Sequence, residues 1–157
     1  MAAHIRPFER ADAAGVSDLI SATLRTSNAR DYSEDFLSKV EASLTAKSLS
    51  DLAKERMILV AVEGAAIVGT ASLGGNQVRA VFVHPAKQGQ GIGRCLMEAV
   101  ESEARARGER LLTLYASLGA VPFYETTGWR TVREHHDGDA RLVVMTKRLA
   151  DGPPRPS

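Results

Sequence analysis

The chain has 157 residues, 44% hydrophobic and 25% charged, a globular composition at a length that fits one domain. Twenty Lys plus Arg against nineteen Asp plus Glu give a formal net charge of +1, which offers no broad basic surface for nucleic acid or an anionic membrane and points to a small-molecule partner. The single cysteine, Cys95, excludes an intramolecular disulfide, no run reaches membrane-spanning length, and Met1 to Arg6 contains no apolar stretch of signal-peptide length, so a cytoplasmic location is expected.

Ile5 to Phe8 reads as a short strand, followed by a helix capped by Asp12 with Val16, Leu19, Ile20, Thr23 and Leu24 at helical spacing. Ser33 is a good N-cap for a second helix, with Glu34 and Asp35 in its first turn and Phe36, Leu37, Val40 and Leu44 as its apolar stripe. A short helical turn around Leu52 can follow. Met57 to Val62 and Ala66 to Leu73 are β-rich runs joined at Glu63-Gly64, an antiparallel hairpin. After Gly74-Gly75-Asn76, Val78 to Val83 forms a further strand that stops at His84-Pro85.

From Gly91 to about Arg107 the apolar positions Ile92, Cys95, Leu96, Ala99 and Val100 predict a helix, ended by Gly108. Leu111 to Tyr115 is the next strand, and the intervening helix makes it parallel to Val78–Val83. Pro122 belongs in the first turn of a short helix that starts near Leu118 to Ala120 and ends before Gly128. Trp129 to Val132 and Arg141 to Leu149 read as closing strands around a polar loop, Glu134 to Asp139. Residues 1–150 thus form a single domain, and 151–157 read as a disordered tail.

Gln88-Gly89-Gln90-Gly91-Ile92-Gly93-Arg94 places alternate glycines between a strand and a helix start. Without Cβ atoms the backbone can approach a ligand, and the first helical amides have no intrahelical acceptor, so they can point at phosphate oxygens. Gln88, Gln90 and Arg94 could add side-chain donors. A tight turn without a ligand is the alternative. A dinucleotide fingerprint needs Gly-x-Gly-x-x-Gly, and a Walker loop needs Gly-Lys followed by Ser or Thr; neither spacing occurs here.

Gln88-x-x-Gly91-x-Gly93 after Val83-His84-Pro85 resembles the acyl-CoA signature of the GNAT (GCN5-related N-acetyltransferase) family. Ala116 to Trp129, containing Phe123-Tyr124 and Gly128-Trp129, resembles that family's next block, and with the flanking strands the resemblance covers about residues 4–149. It implies an α/β fold: a mixed, largely antiparallel twisted sheet of about seven strands flanked by about four helices, with a parallel, splayed pair at the cofactor site. It implies acetyl-CoA as donor, its pyrophosphate on the amides of Gly89, Gln90, Gly91, Ile92, Gly93 and Arg94, and its pantetheine arm along Phe82 and Val83, near Ser117 and Phe123. Tyr124 matches the tyrosine that protonates the departing thiolate, a role suited to a phenol. The implied acceptor is a small-molecule or peptide amine attacked directly, and a homodimer is a family-level expectation.

The sequence also departs from the family. Gly119 stands where many relatives have an Asn that bonds the pantetheine arm, Trp129 replaces a Phe, and Asn76 to Ala80 lacks the carboxylate that relatives often use as base. Asp31, Glu34, Asp35 or a water chain are the candidate bases. A noncatalytic acyl-CoA sensor and a nucleotide-binding module are the competing functions. Cys95 reads as a packed core thiol, His84 as a hydrogen-bonding residue, and the adjacent His135 and His136 as part of a solvated loop, with no metal expected.

Overall fold

The computed structural model describes residues 3–149; the C-terminal stretch read as a tail lies outside them. Strands β1 (His4–Pro7), β2 (Met57–Glu63), β3 (Ala66–Gly74), β4 (Gln77–Val83), β5 (Leu111–Ser117), β6 (Arg130–Asp137) and β7 (Ala140–Arg148) form one sheet in the order β1-β2-β3-β4-β5-β7-β6. The helices are α1 (Ala13–Thr26), α2 (Glu34–Ser43), α3 (Ala46–Leu52), α4 (Ile92–Ala106) and α5 (Val121–Thr126). Every strand pair is antiparallel except β4–β5. This is the mixed α/β architecture expected from the sequence.

Two apolar layers flank the sheet. On one side Leu96, Met97, Val100 and Ala104 of α4 pack with Val68, Leu112 and Met145, joined by Tyr124 and Trp129. On the other, Val16, Ile20 and Leu24 of α1 pack with Leu37, Leu49, Val60 and Val62. Alternation along β5 explains the division: Leu112, Leu114 and Ala116 are buried, whereas Leu111 and Tyr115 point outward.

Three local expectations need correction. The buried face of α4 is Ile92, Leu96, Met97, Val100, Glu101 and Ala104, so Cys95 is exposed rather than packed. The hidden anchor is Glu101, whose carboxylate meets Lys147 Nζ of β7 at 2.7 Å with only 5% of its side chain exposed. A charged residue on the core face shifted the apparent apolar stripe. His135 and His136 belong to β6, and the turn to β7 is reduced to Gly138 and Asp139. The strand's polarity reflects its place at the sheet edge. Finally, Asp12 stands at the N-cap of α1 but its side chain makes no capping bond there; its carboxylate accepts from Glu9 N at 2.7 Å and forms a two-pronged contact with Arg6 at 2.8 and 2.9 Å. Ser33, in contrast, caps α2 as read, accepting from Phe36 N at 3.2 Å.

Candidate functional site

β4 and β5 pair only where Gln77 stands opposite Thr113, with Thr113 N donating to Asn76 O at 3.0 Å. Beyond that point Phe82 and Val83 remain paired to β3, while Tyr115 to Ser117 pair with β7. The two parallel strands therefore splay, and a cleft of about 960 Å³ opens between them. The β3–β4 register slips between Thr70–Phe82 and Ser72–Arg79, and within that slip Ala80 adopts φ 52°. A bulge of this kind leaves main-chain groups outside the ladder and re-aims the strand. Here it turns β4 along the cleft wall.

At one end of the cleft the glycine turn leads into α4. Gly91 is the N-cap of that helix with φ 85°, a left-handed conformation strained for any residue with a Cβ, and Gly89 has φ 79°. Gly91 has no side chain with which to cap the first amides, so these remain available to an anion. Gly93 serves close packing instead: a Cβ there would lie 3.2 Å from Phe123 Cζ and 3.6 Å from Val83 Cγ2. It fixes α4 against α5 and β4.

Phe82, Val83, Gln88, Gly89, Gly91, Ile92, Gly93, Arg94, Ser117, Phe123 and Tyr124 all line the cleft; Gln90 is exposed outside it. Gln88 is engaged within the protein, since its Nε2 donates to Val83 O at 3.1 Å and to Ser27 Oγ at 2.9 Å, tying the end of α1 to the end of β4. His84 Nδ1 accepts from Ala86 N at 3.1 Å, the hydrogen-bonding role expected of it.

Tyr124 is 6% exposed, packed edge-on against Phe123 and Trp129 with ring centroids 5.1 and 6.1 Å away. Burial, with a smaller contribution from Tyr32, pushes its phenol well above the ordinary value. The hydroxyl is therefore protonated throughout the neutral range, as a proton donor must be. Tyr32 is pushed up to about 12, mainly by burial and then by Asp31, with the Ser117 hydroxyl beside it partly opposing the shift.

Of the three acidic candidates only Asp31 lines the cleft. Its Oδ2 accepts from Gly119 N at 3.3 Å, and no described cation pairs with it. Glu34 is exposed and bonded to Arg25, and Asp35 is exposed in the first turn of α2. Asp137, a cleft residue from β6, is neutralised by Lys39 at 2.8 Å. Sequence reasoning missed the aromatic part of the wall: Tyr32, Phe36, Tyr115 and His135 line the cleft, with Tyr32 4.6 Å from Phe36 and Tyr115 4.9 Å from His135 between ring centroids. The one available signal was an aromatic directly before the N-cap Ser33. Among the described residues no group of three or more His, Cys, Asp or Glu is arranged to hold a metal, and no helix is long and apolar enough to cross a membrane.

A seven-stranded sheet with one splayed parallel pair, a glycine turn at the mouth of the splay and a buried tyrosine in its wall define an acyltransferase-type fold. Residues 25–149 match the family model described as an acetyltransferase (GNAT) domain, and the chain belongs to that family. It is similar to a GCN5-related N-acetyltransferase structure from Rhodopseudomonas palustris (28% identity, 95% of this chain and 97% of that one, TM-score 0.86). The same fold occurs in the PaiA N-acetyltransferase of Thermoplasma acidophilum in complex with coenzyme A (18% identity, 94% and 99% covered, TM-score 0.80). It occurs also in yncA of Salmonella typhimurium with acetyl-CoA (21% identity, 100% and 99% covered, TM-score 0.68). A ycf52-like N-acetyltransferase of Prochlorococcus marinus, described as uncharacterized, is 37% identical over 49 residues, which span 31% of this chain and 27% of that protein.

Proposed function

We propose that the protein transfers an acetyl group from acetyl-CoA to a primary amine by direct attack, with no covalent enzyme intermediate. The observation that carries this reading is the continuity of one cleft, from the glycine turn along the splayed edge of β4 to Tyr124. The amides at the start of α4 would take the pyrophosphate, and the unpaired main chain of the bulged β4 would hold the arm that follows it. The acceptor amine enters from the side formed by Asp31, Tyr32, Phe36 and Tyr115.

An ammonium must lose a proton before it can attack. Asp31 supports the role of proton acceptor because it is the cleft carboxylate free of a described cation, and because β4 supplies none. The nitrogen lone pair then forms the new C–N bond at the acetyl carbonyl, whose oxygen is polarised by a main-chain amide around Val83. Collapse breaks the C–S bond, and the Tyr124 hydroxyl supplies the proton taken up by the leaving thiolate. The attacking nitrogen still carries one proton more than the amide keeps, and this second proton passes through cleft water to the Tyr124 oxygen while Asp31 releases the first to solvent, so the ammonium gives up two protons in all, one ending on sulfur and one in solution.

The test is an acceptor screen: protein, acetyl-CoA and a panel of primary amines, with free thiol and acetylated product both measured. The expected result is thiol release matched by acetylated amine. Tight acetyl-CoA binding without turnover on any amine would favour the sensor function, and a dinucleotide carried through native purification would favour the nucleotide-binding one.

A further inference from the structure

Arg79 belongs to two cavities at once. It lines the main cleft, and with Ala80, Phe82 and Val40 it also lines an adjoining groove of about 390 Å³ that continues past Ser43, Leu44 and Leu52 to Arg56. The stem of Arg56 is laid against Gly74 at the end of β3, where a Cβ would stand 3.4 Å from Arg56 Cγ. The groove thus has two guanidinium side chains and no carboxylate in its lining.

Four arginines find acids, Arg6 with Asp12, Arg25 with Glu34 and Glu41, Arg107 with Glu103 and Arg141 with Glu134. Arg56 makes no ion pair among the described residues, and the side-chain contact of Arg79 is to Gln77 Oε1 at 2.6 Å. Burial and then the neighbouring Arg79 both work against the charge on Arg56, and Glu55 offsets them only in part. A guanidinium does not escape such a conflict by losing its proton. Two like charges lining one groove are therefore a standing positive field that an oxyanion would relieve, with the planar fork of each guanidinium suited to it.

The position separates this field from the cofactor phosphates. Arg79 lies near the start of β4, four residues before Val83, and the glycine turn lies beyond the opposite end. At about 3.3 Å per strand residue the two are more than about 13 Å apart along the wall. Arg79 also precedes the Ala80 bulge, two residues from the Gln77–Thr113 pairing that closes this end of the splay.

We propose that Arg56 and Arg79 form an anion subsite for the acceptor, so that the acceptor is a primary amine carrying a carboxylate or phosphate group. This rests on the acetyl-transfer function proposed above, with the amine placed toward Asp31 and the anion toward the groove. The two guanidiniums fix the far end of the acceptor, and the amine is thereby presented to the thioester.

The experiment is isothermal titration of the CoA-loaded protein with matched probes: 6-aminohexanoate against hexylamine, and O-phosphoethanolamine against ethanolamine. Binding does not depend on turnover, so it tests the subsite apart from the acetyl-transfer reading, which the acceptor screen tests. At least one anionic probe is expected to bind about 10-fold or more tightly than its uncharged-tail partner, the scale of a hydrogen bond to a charged group. R79Q and R56Q should each abolish that preference while R79K retains part of it, and CoA affinity should not change. Arg79 is exposed, so R79Q keeps the fold, which a melting curve checks. The preferred pair identifies carboxylate or phosphate. Equal binding within both pairs, or a preference that survives R79Q, overturns the proposal.

Discussion

The Asp31 carboxylate accepts a hydrogen bond from the Gly119 amide at 3.3 Å, in space that a Cβ at position 119 would contest by standing 3.0 Å from Asp31 Oδ2. The two residues come from the α1–α2 connection and from the turn before α5, and they meet only across the cleft. The missing side chain at 119 and the carboxylate at 31 are thus one arrangement. It places an acid in the cleft of a protein whose β4 has none.

Gly119→Asn restores the residue usual in relatives by resemblance, and it is expected to displace Asp31. Turnover on the best acceptor should fall about 100-fold, as it should for Asp31→Asn, the scale of losing a general base. Affinity for acetyl-CoA should fall little in either variant. Full turnover in both would remove Asp31 from the mechanism.

Glu101→Gln tests the buried pair behind α4. Its partner Lys147 also donates to Thr127 O at 2.6 Å, so this pair joins α4, β7 and the end of α5. Removing one partner of a fully buried pair costs about 3–5 kcal/mol; because Lys147 keeps 22% of its side chain exposed, about 2 kcal/mol is expected here, read from urea unfolding. A change within experimental scatter would show that the pair is decorative.

The Arg6 hydrogen bonds hold the Asp12 carboxyl below its usual value, aided by the bond from Glu9 N and opposed by burial. A depressed folded pKa contributes stability above the unfolded pKa of about 3.9 and loses it as pH falls through the folded value. The stability gap between wild type and Asp12→Asn should therefore be full at pH 7 and shrink progressively below about pH 4. Urea midpoints for both proteins across that range provide the check, and a gap independent of pH would contradict the assignment.

How far the sequence led depends on whether a signal was local. The β2–β3 hairpin, β4 and the start of α4 were legible because alternation, turn glycines and His84-Pro85 act within a few residues. On α4 the burial of Ile92, Leu96 and Val100 is legible, but Cys95 is not the buried residue it reads as, and Glu101 is buried against Lys147, a partner 46 positions away by the two residue numbers. The first half of β6 is legible as a strand, whereas its continuation from Glu134 to Asp137 reads as loop because an edge strand has little apolar requirement. At the site, Gly91 and Gly93 could be read from spacing, whereas the reach of Asp31 to Gly119 depends on tertiary proximity. The aromatic wall of Tyr32 and Tyr115 needed the cleft itself to become visible.

Tyr124→Phe tests the central claim most directly, because it removes one hydroxyl from a packed ring and leaves the surrounding aromatic contacts in place. The measurement is steady-state acetyl transfer alongside titration with acetyl-CoA. The expected result is a kcat lower by about 100-fold or more, the range for loss of a general acid, with acetyl-CoA affinity within about twofold of wild type. Undiminished turnover in the variant would contradict the account.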